Sequence, residues 1–253
     1  MITAPGEGRL LGGMPLPGVA VAELFADPPG VDLFPEEAEI VRCAVVKRRR
    51  EFATVRLCAR TALARLGRTP GPILPAGDGP LWAGRAPRWP DGIVGSMTHC
   101  DGYRAAAVAR EEEVASLGVD AESNAPLPEG VQETVLLPEE RDTVTRLAAF
   151  SGVAWDRLLF SAKESVFKAW FPLTGRWLDF LECAISPDPD RGTFSAMLQV
   201  PGPTVAGERI DQFSGRWRVR RTGGEGLVAT AVVVPAQAPA RSWPDRITSQ
   251  SAA

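Results

Sequence analysis

Four short stretches collect the residues able to do chemistry: "KRRREFATVRLCAR" (47–60), "VGSMTHC" (94–100), "GVDAES" (118–123) and "LLFSAKESVFKAW" (158–170). The second holds His99, the single histidine of the chain. An isolated histidine at a strand end is most often structural, whereas beside arginines and lysines it serves as one more hydrogen-bond donor to a polyanion. Asp120 and Glu122 stand at i and i+2 where a strand-type run ends, so both carboxylates project to one side. Together they can share a hard, oxygen-seeking cation, for which Mg²⁺ is the natural choice and Mn²⁺ the substitute. The plainer reading of the same pair is a solvated loop start.

The other two stretches read as helices. At 100° per residue Val41, Val45, Phe52, Val55, Ala59, Leu63 and Leu66 form one stripe, with Arg48 inside it and Arg56 at its edge. An arginine on a core-facing stripe requires an anion or a carboxylate partner. In the last stretch Leu158, Leu159, Ala162, Val166, Ala169 and Trp170 make one apolar face, and Phe160, Phe167 and Phe171 make a second, nearly opposite. Lys163, Glu164 and Lys168 are squeezed between them. A helix apolar on two faces is buried, and buried charges need partners or a polar ligand. The plain alternative is an intrahelical Glu164–Lys168 pair.

The elements that must carry these groups follow from punctuation and periodicity. Met1–Asp32 is rich in Gly and Pro, with one short strand expected near Val19–Leu24. Pro35 followed by Glu36 and Glu37 marks a helix start, and Gly67 its stop. Residues 68–92 read as loop, and strands follow near Ile93–Thr98 and Tyr103–Ala109 around an Asp101-Gly102 turn. A strand over Val114–Val119, helices over Pro138–Phe150 and Trp155–Phe171, and strands over Phe180–Ile185, Thr193–Val200, Arg216–Arg221 and Gly226–Val234 complete the reading. Helices mixed with hairpins predict an α+β fold. No exact internal repeat is visible.

Composition narrows the function classes. The chain has 253 residues, 45% of them hydrophobic, and a formal charge of −3, which suits a folded globular protein and argues against coating nucleic acid. No run is long enough for a membrane span, and the start lacks signal-peptide character, so a cytoplasmic location is expected. Cys43, Cys58, Cys100 and Cys183 are too scattered for a disulfide framework, and no ligand pair beside His99 and Cys100 supports zinc.

Taken in order, "GSMTHCDGY", "LGVDAES" and "FSAKESVFKAW" resemble the 4′-phosphopantetheinyl transferases of the surfactin type, and the basic helix resembles their actinobacterial branch. The resemblance covers most of residues 40–234. It implies two pseudo-twofold-related α+β lobes, here 1–112 and 113–235, with a disordered tail at 236–253 and the active site between the lobes. It also implies transfer of 4′-phosphopantetheine from coenzyme A to a serine of apo acyl or peptidyl carrier proteins, releasing adenosine 3′,5′-bisphosphate. Its residue roles fall on Asp120, the Ala121 carbonyl and Glu122 at the metal, and on Glu164 either completing the metal site or acting as base on the serine hydroxyl. Coenzyme A then falls to Arg48, Arg56, Thr98, His99, Asp120, Lys163 and Lys168. Catalysis is implied for Glu164, Lys163, His99 and Asp120. Pro75 stands where the family supplies a lysine, leaving Arg85 as its substitute. A monomer without nucleic-acid or membrane partners is implied. Two alternatives stay open: a catalytically inactive carrier-protein binder of the same fold, and another Mg²⁺-dependent nucleotide phosphotransferase, although no G-x-x-x-x-G-K-[ST] loop is present.

Overall fold

A computed structural model describes residues 8–77, 86–150, 152–221 and 226–237. Its elements in chain order are β1 (Val19–Leu24), α1 (Pro35–Ile40), α2 (Val46–Arg65), β2 (Ile93–Cys100), β3 (Tyr103–Arg110), β4 (Val114–Ser123), α3 (Gln132–Val135), α4 (Pro138–Leu147), α5 (Trp155–Thr174), β5 (Cys183–Asp188), β6 (Thr193–Leu198), β7 (Thr204–Val205), β8 (Glu208–Arg209), β9 (Gln212–Arg220) and β10 (Leu227–Pro235). The architecture is α+β. One antiparallel sheet has the order β1-β3-β2 and is packed on by α2; a larger one has the order β4-β10-β9-β6-β5 and is packed on by α5. The short β7–β8 pair has no counterpart in the sequence reading. The expected tail falls almost wholly on residues outside those described.

Local chemistry explains most of these elements. Gly102, at φ +72°, closes the β2–β3 hairpin, in register from Ile93 opposite Arg110 to Cys100 opposite Tyr103. β4 alternates: Leu117, Val119 and Ala121 enter a core shared with Tyr103, Ala105, Ala107 and Ala109 of β3, while Ser116, Gly118 and Asp120 turn to α5. Gly118 is the point of closest approach, because a Cβ there would collide with the Ser165 carbonyl of α5. The two sheets meet without merging. Where β2 passes β4, Ser96 Oγ accepts the Val119 N–H and Thr98 Oγ1 the Ala121 N–H, each at 3.0 Å, so hydroxyls replace a backbone ladder.

Two expectations are corrected. The helix beginning at Pro35 does not run on to Gly67: it breaks after Ile40, and Val45 is extended before α2 starts. The reason is Glu37, which is fully buried and accepts from Arg60 Nη1 at 2.9 Å and from the Ile73 N–H at 2.9 Å. In one continuous helix residues 37 and 60 would lie about 35 Å apart at 1.5 Å per residue, so the chain must turn for them to meet. The second correction concerns Asp120 and Glu122, which lie inside β4 rather than beyond its end.

The second lobe repeats the first joint. Glu140, third residue of α4 after Leu137-Pro138-Glu139, is also fully buried; it accepts from Lys163 Nζ at 2.7 Å and from the Ile185 N–H at 2.7 Å. Pro35 to Arg60 and Pro138 to Lys163 both span 25 positions (35 to 60, 138 to 163). The pseudo-repeat lies in "FPEE" and "LPEE", too short to stand out in sequence.

Candidate active site

Between α2 and β2 on one side and β4 and α5 on the other lies a cavity of about 1220 Å³. Arg48, Arg56, Thr98, His99, Asp120, Glu164 and Lys168 all line it, so the structure brings together seven of the residues singled out from sequence. Apolar walls, among them Phe52, Trp89, Met97, Phe167, Phe171 and Trp177, complete it.

The first lobe contributes cations. Arg48 is half-exposed on the cleft wall rather than buried on a core stripe, and Val45 and Val46 beside it are exposed as well. Its Nη1 lies 2.6 Å from His99 Nε2. A guanidinium only donates, so the imidazole accepts with Nε2 and is neutral, its proton on Nδ1. Burial first, and the Arg48 charge second, push the imidazole below its usual range. His99 was expected as a donor; towards Arg48 it accepts, and only Nδ1–H is left to donate. Glu51 sits behind the pair, 3.8 Å from Arg48 and 3.9 Å from His99, and is itself held by buried Arg104 at 3.4 Å.

Arg56 is fixed on three sides. Its guanidinium lies over the Phe52 ring at 4.1 Å, Nε donates to the Ile73 carbonyl at 3.0 Å, and Glu37 stands 3.7 Å away. Burial lowers its pKa to about 10, partly offset by Glu37. Pro75 also lines the cavity, on a segment whose Ala76 N–H and Leu74 carbonyl pair with residues 86 and 88. Arg85 lies outside the described residues.

The second lobe contributes carboxylates. Asp120 Oδ1 accepts from Lys168 Nζ at 2.7 Å and from Thr98 Oγ1 at 3.3 Å, and Oδ2 accepts from Ser161 Oγ at 2.8 Å. Glu122, two residues on and on the same face, meets Arg157 Nη1 at 3.2 Å. Burial, then the charge of Asp120, raises its pKa to about 6. Glu164, half-buried at the cavity wall, is also raised, by burial first, against the opposing pull of Lys168. Lys168 is raised because Asp120 and Glu164 outweigh the burial that acts against its charge. Its Nζ also donates to the Val119 carbonyl at 3.2 Å.

Lys163 is the clear correction. One residue before Glu164 on a helix it points about 100° away, and it is spent on buried Glu140 and on the Phe180 carbonyl at 2.6 Å. It does not line the cavity. Lys168, four residues beyond Glu164, is the lysine that does.

The donor set suits a divalent cation in one respect: Glu122 and Glu164 are both raised, by burial first and by the charge of Asp120 as a lesser cause, so a bound cation would relieve them. Among the described residues, however, no three acidic, histidine or cysteine side chains converge closely enough to hold a metal by themselves. The Ala121 side chain is in the core, while its N–H faces Thr98. In an antiparallel strand the carbonyl points to the same side as the N–H, so the Ala121 carbonyl faces the lobe junction. Sequence reasoning passed over Glu51, Ser161, Arg157 and Thr230. Ser161 stood within a quoted motif, but Thr230 lies in an apolar strand with nothing to mark it.

Residues 36–109 match the 4′-phosphopantetheinyl transferase N-terminal domain family, and residues 116–221 match the 4′-phosphopantetheinyl transferase superfamily. The chain is 59% identical to the 4′-phosphopantetheinyl transferase Svp of Streptomyces mobaraensis, over 88% of this chain and 89% of that protein. It is 46% identical to the 4′-phosphopantetheinyl transferase PptT of Mycobacterium tuberculosis, over 85% of this chain and 92% of that protein. A more distant similarity, 34% identity over 51% of each chain, is to enterobactin synthase component D of Salmonella typhi.

Proposed function

The chain belongs to the 4′-phosphopantetheinyl transferase superfamily, and from that premise we propose how its residues carry out transfer of phosphopantetheine to carrier proteins. Coenzyme A lies in the interlobe cleft with its phosphates toward Arg48, Arg56, Thr98, His99 and Lys168. The observation that carries this reading is that cations of one lobe face carboxylates of the other across a single cavity.

Phosphoryl transfer asks little covalent help of a protein; positioning and charge neutralisation dominate. The planar, permanently charged guanidiniums of Arg48 and Arg56 suit the 3′-phosphate, and Lys168 suits the pyrophosphate. Asp120, Glu122, Glu164 and the Ala121 carbonyl would hold Mg²⁺, which when bound neutralises charge on the pyrophosphate oxygens. Glu164 takes the proton of the carrier serine as its oxygen bonds to the phosphorus bearing pantetheine; the bond to adenosine 3′,5′-bisphosphate breaks.

Residues 1–112 and 113–235 act as the two lobes, in a monomer, and we place the enzyme in the cytoplasm. Among the described residues no helix is long and apolar enough to cross a membrane. The test is incubation with coenzyme A, Mg²⁺ and apo carrier proteins, read by intact mass. A gain of one phosphopantetheine per carrier is expected. Carriers that bind but never gain mass would mean a noncatalytic binder of the same fold.

A further inference from the structure

Thr230 is fully buried in the middle of β10, where "LVATAVVVP" is otherwise apolar, and it stands directly opposite Asp120 in the β4–β10 register. A hydroxyl in such a place costs stability unless it is hydrogen-bonded. Its Oγ1 lies 3.0 Å from Ser161 Oγ and donates to the Ser161 carbonyl at 2.8 Å. Ser161, also fully buried, donates to Asp120 Oδ2 at 2.8 Å. The direction is fixed by proton count: each hydroxyl has one proton, the carboxylate only accepts, and so the Ser161 proton goes to Asp120.

Resting on the reading of Asp120 as a metal ligand, we infer that Thr230 and Ser161 are positioning residues for that ligand. Ser161 holds Oδ2 from the core side, and Thr230, by donating to the Ser161 carbonyl, fixes the turn of α5 that carries Ser161; Oδ1 faces Lys168 and Thr98 on the cleft side. Thr98 contacts the same Oδ1 from β2 at 3.3 Å while accepting the Ala121 N–H, so the carboxylate is braced by both sheets. Partners of this kind orient a metal ligand, and removing one typically costs about 10–100-fold in metal affinity.

The experiment is calorimetric titration with coenzyme A in the presence and absence of Mg²⁺, on wild type, Thr230→Val, Thr230→Ser, Ser161→Ala and Asp120→Ala. Thermal midpoints are measured alongside. Thr230→Val keeps the shape and removes the hydroxyl. It should diminish the Mg²⁺-dependent tightening of coenzyme A about tenfold while the midpoint holds or rises, and Thr230→Ser should restore the tightening. Ser161→Ala should behave as Thr230→Val does, and decides the matter if Thr230→Val fails to fold. Full Mg²⁺ dependence in both, with loss in Asp120→Ala, overturns the positioning role alone. So does equal loss in Thr230→Val and Thr230→Ser, which would reflect packing. An Mg²⁺ effect that survives in Asp120→Ala, or is missing in wild type, overturns this inference together with the reading on which it rests.

Discussion

Glu37 and Glu140 stand third in helices that open with proline, both are fully buried, and both tie their short helix to the long one that follows. They differ in what lies beyond. Glu37 meets Arg60 at 2.9 Å and has a second cation, Arg56, 3.7 Å away on the cleft wall. Among the described residues Glu140 meets one cation, Lys163, at 2.7 Å, with both side chains about 1% exposed. One joint therefore connects with the site and the other is purely internal. The walls differ in the same sense: the first lobe faces the cleft with Arg48, Arg56 and His99, the second with Asp120, Glu164 and the lysine that neutralises them. A repeated scaffold has been given opposite charge on its two inner faces, which is what a ligand carrying phosphates and a cation requires.

The largest expected effect tests the joints. Lys163→Met leaves Glu140 buried without its cation and should cost about 3–5 kcal/mol of stability. Arg60→Met should cost less, since Glu37 keeps Arg56 and Arg60 is partly reached by water. Urea unfolding of both variants measures the difference. Turnover of Lys163→Met, assayed well below its melting point, should stay within a few-fold of wild type. A loss of coenzyme A binding in a folded Lys163→Met would place that lysine back in the site.

Next comes the carboxylate wall. Glu164→Gln should lower turnover by about two orders of magnitude, as loss of a general base commonly does, while coenzyme A affinity in Mg²⁺-free buffer changes only a few-fold. Steady-state kinetics with an apo carrier, set against calorimetry, separates the two. Near wild-type turnover removes Glu164 from the proton transfer.

A smaller effect concerns Glu122. Its pKa in the folded protein, about 6, lies above the ordinary 4.5, so the folded state holds this proton more tightly than the unfolded chain. The stabilisation is complete below about pH 4.5 and is lost as pH rises through about 6. In metal-free buffer Glu122→Gln should therefore gain on wild type across that window, by about 2 kcal/mol at most, and hold the gain above it. Unfolding at stepped pH reads this directly, and a difference that ignores pH would contradict it.

The smallest tests the cation wall. Arg48→Ala should weaken coenzyme A about tenfold more than 3′-dephospho-coenzyme A, since a charge-assisted hydrogen bond to phosphate is worth about 1.5–3 kcal/mol and half-exposure reduces it. Equal losses for the two ligands would mean that Arg48 serves only to hold His99.

Local rules sufficed for the β2–β3 hairpin, because Asp-Gly with a positive φ leaves few choices, and for α5, whose two apolar faces announced a buried helix. They sufficed for the pairing of Asp120 with Glu122, since i and i+2 share a face in any strand. They failed at the break between α1 and α2, where an unbroken helical pattern hides the need of Glu37 to reach Arg60. They failed again at Lys163. Adjacent to Glu164 in sequence, it looks like part of the same site, and no periodicity could say that Glu140 waits on its side of α5.

The sequence by itself determined the residue types, the α+β class and the motifs that mark the family, because these depend on composition and on spacing within one element. Only the tertiary structure decided which cation meets which carboxylate. Lys168 on Asp120, Lys163 on Glu140, Arg157 on Glu122 and the Thr230–Ser161 hydroxyls behind Asp120 all join residues from different elements. Each pairing depends on where a helix crosses a sheet, and that crossing is set by close packing at points such as Gly118 against Ser165, which no local pattern encodes.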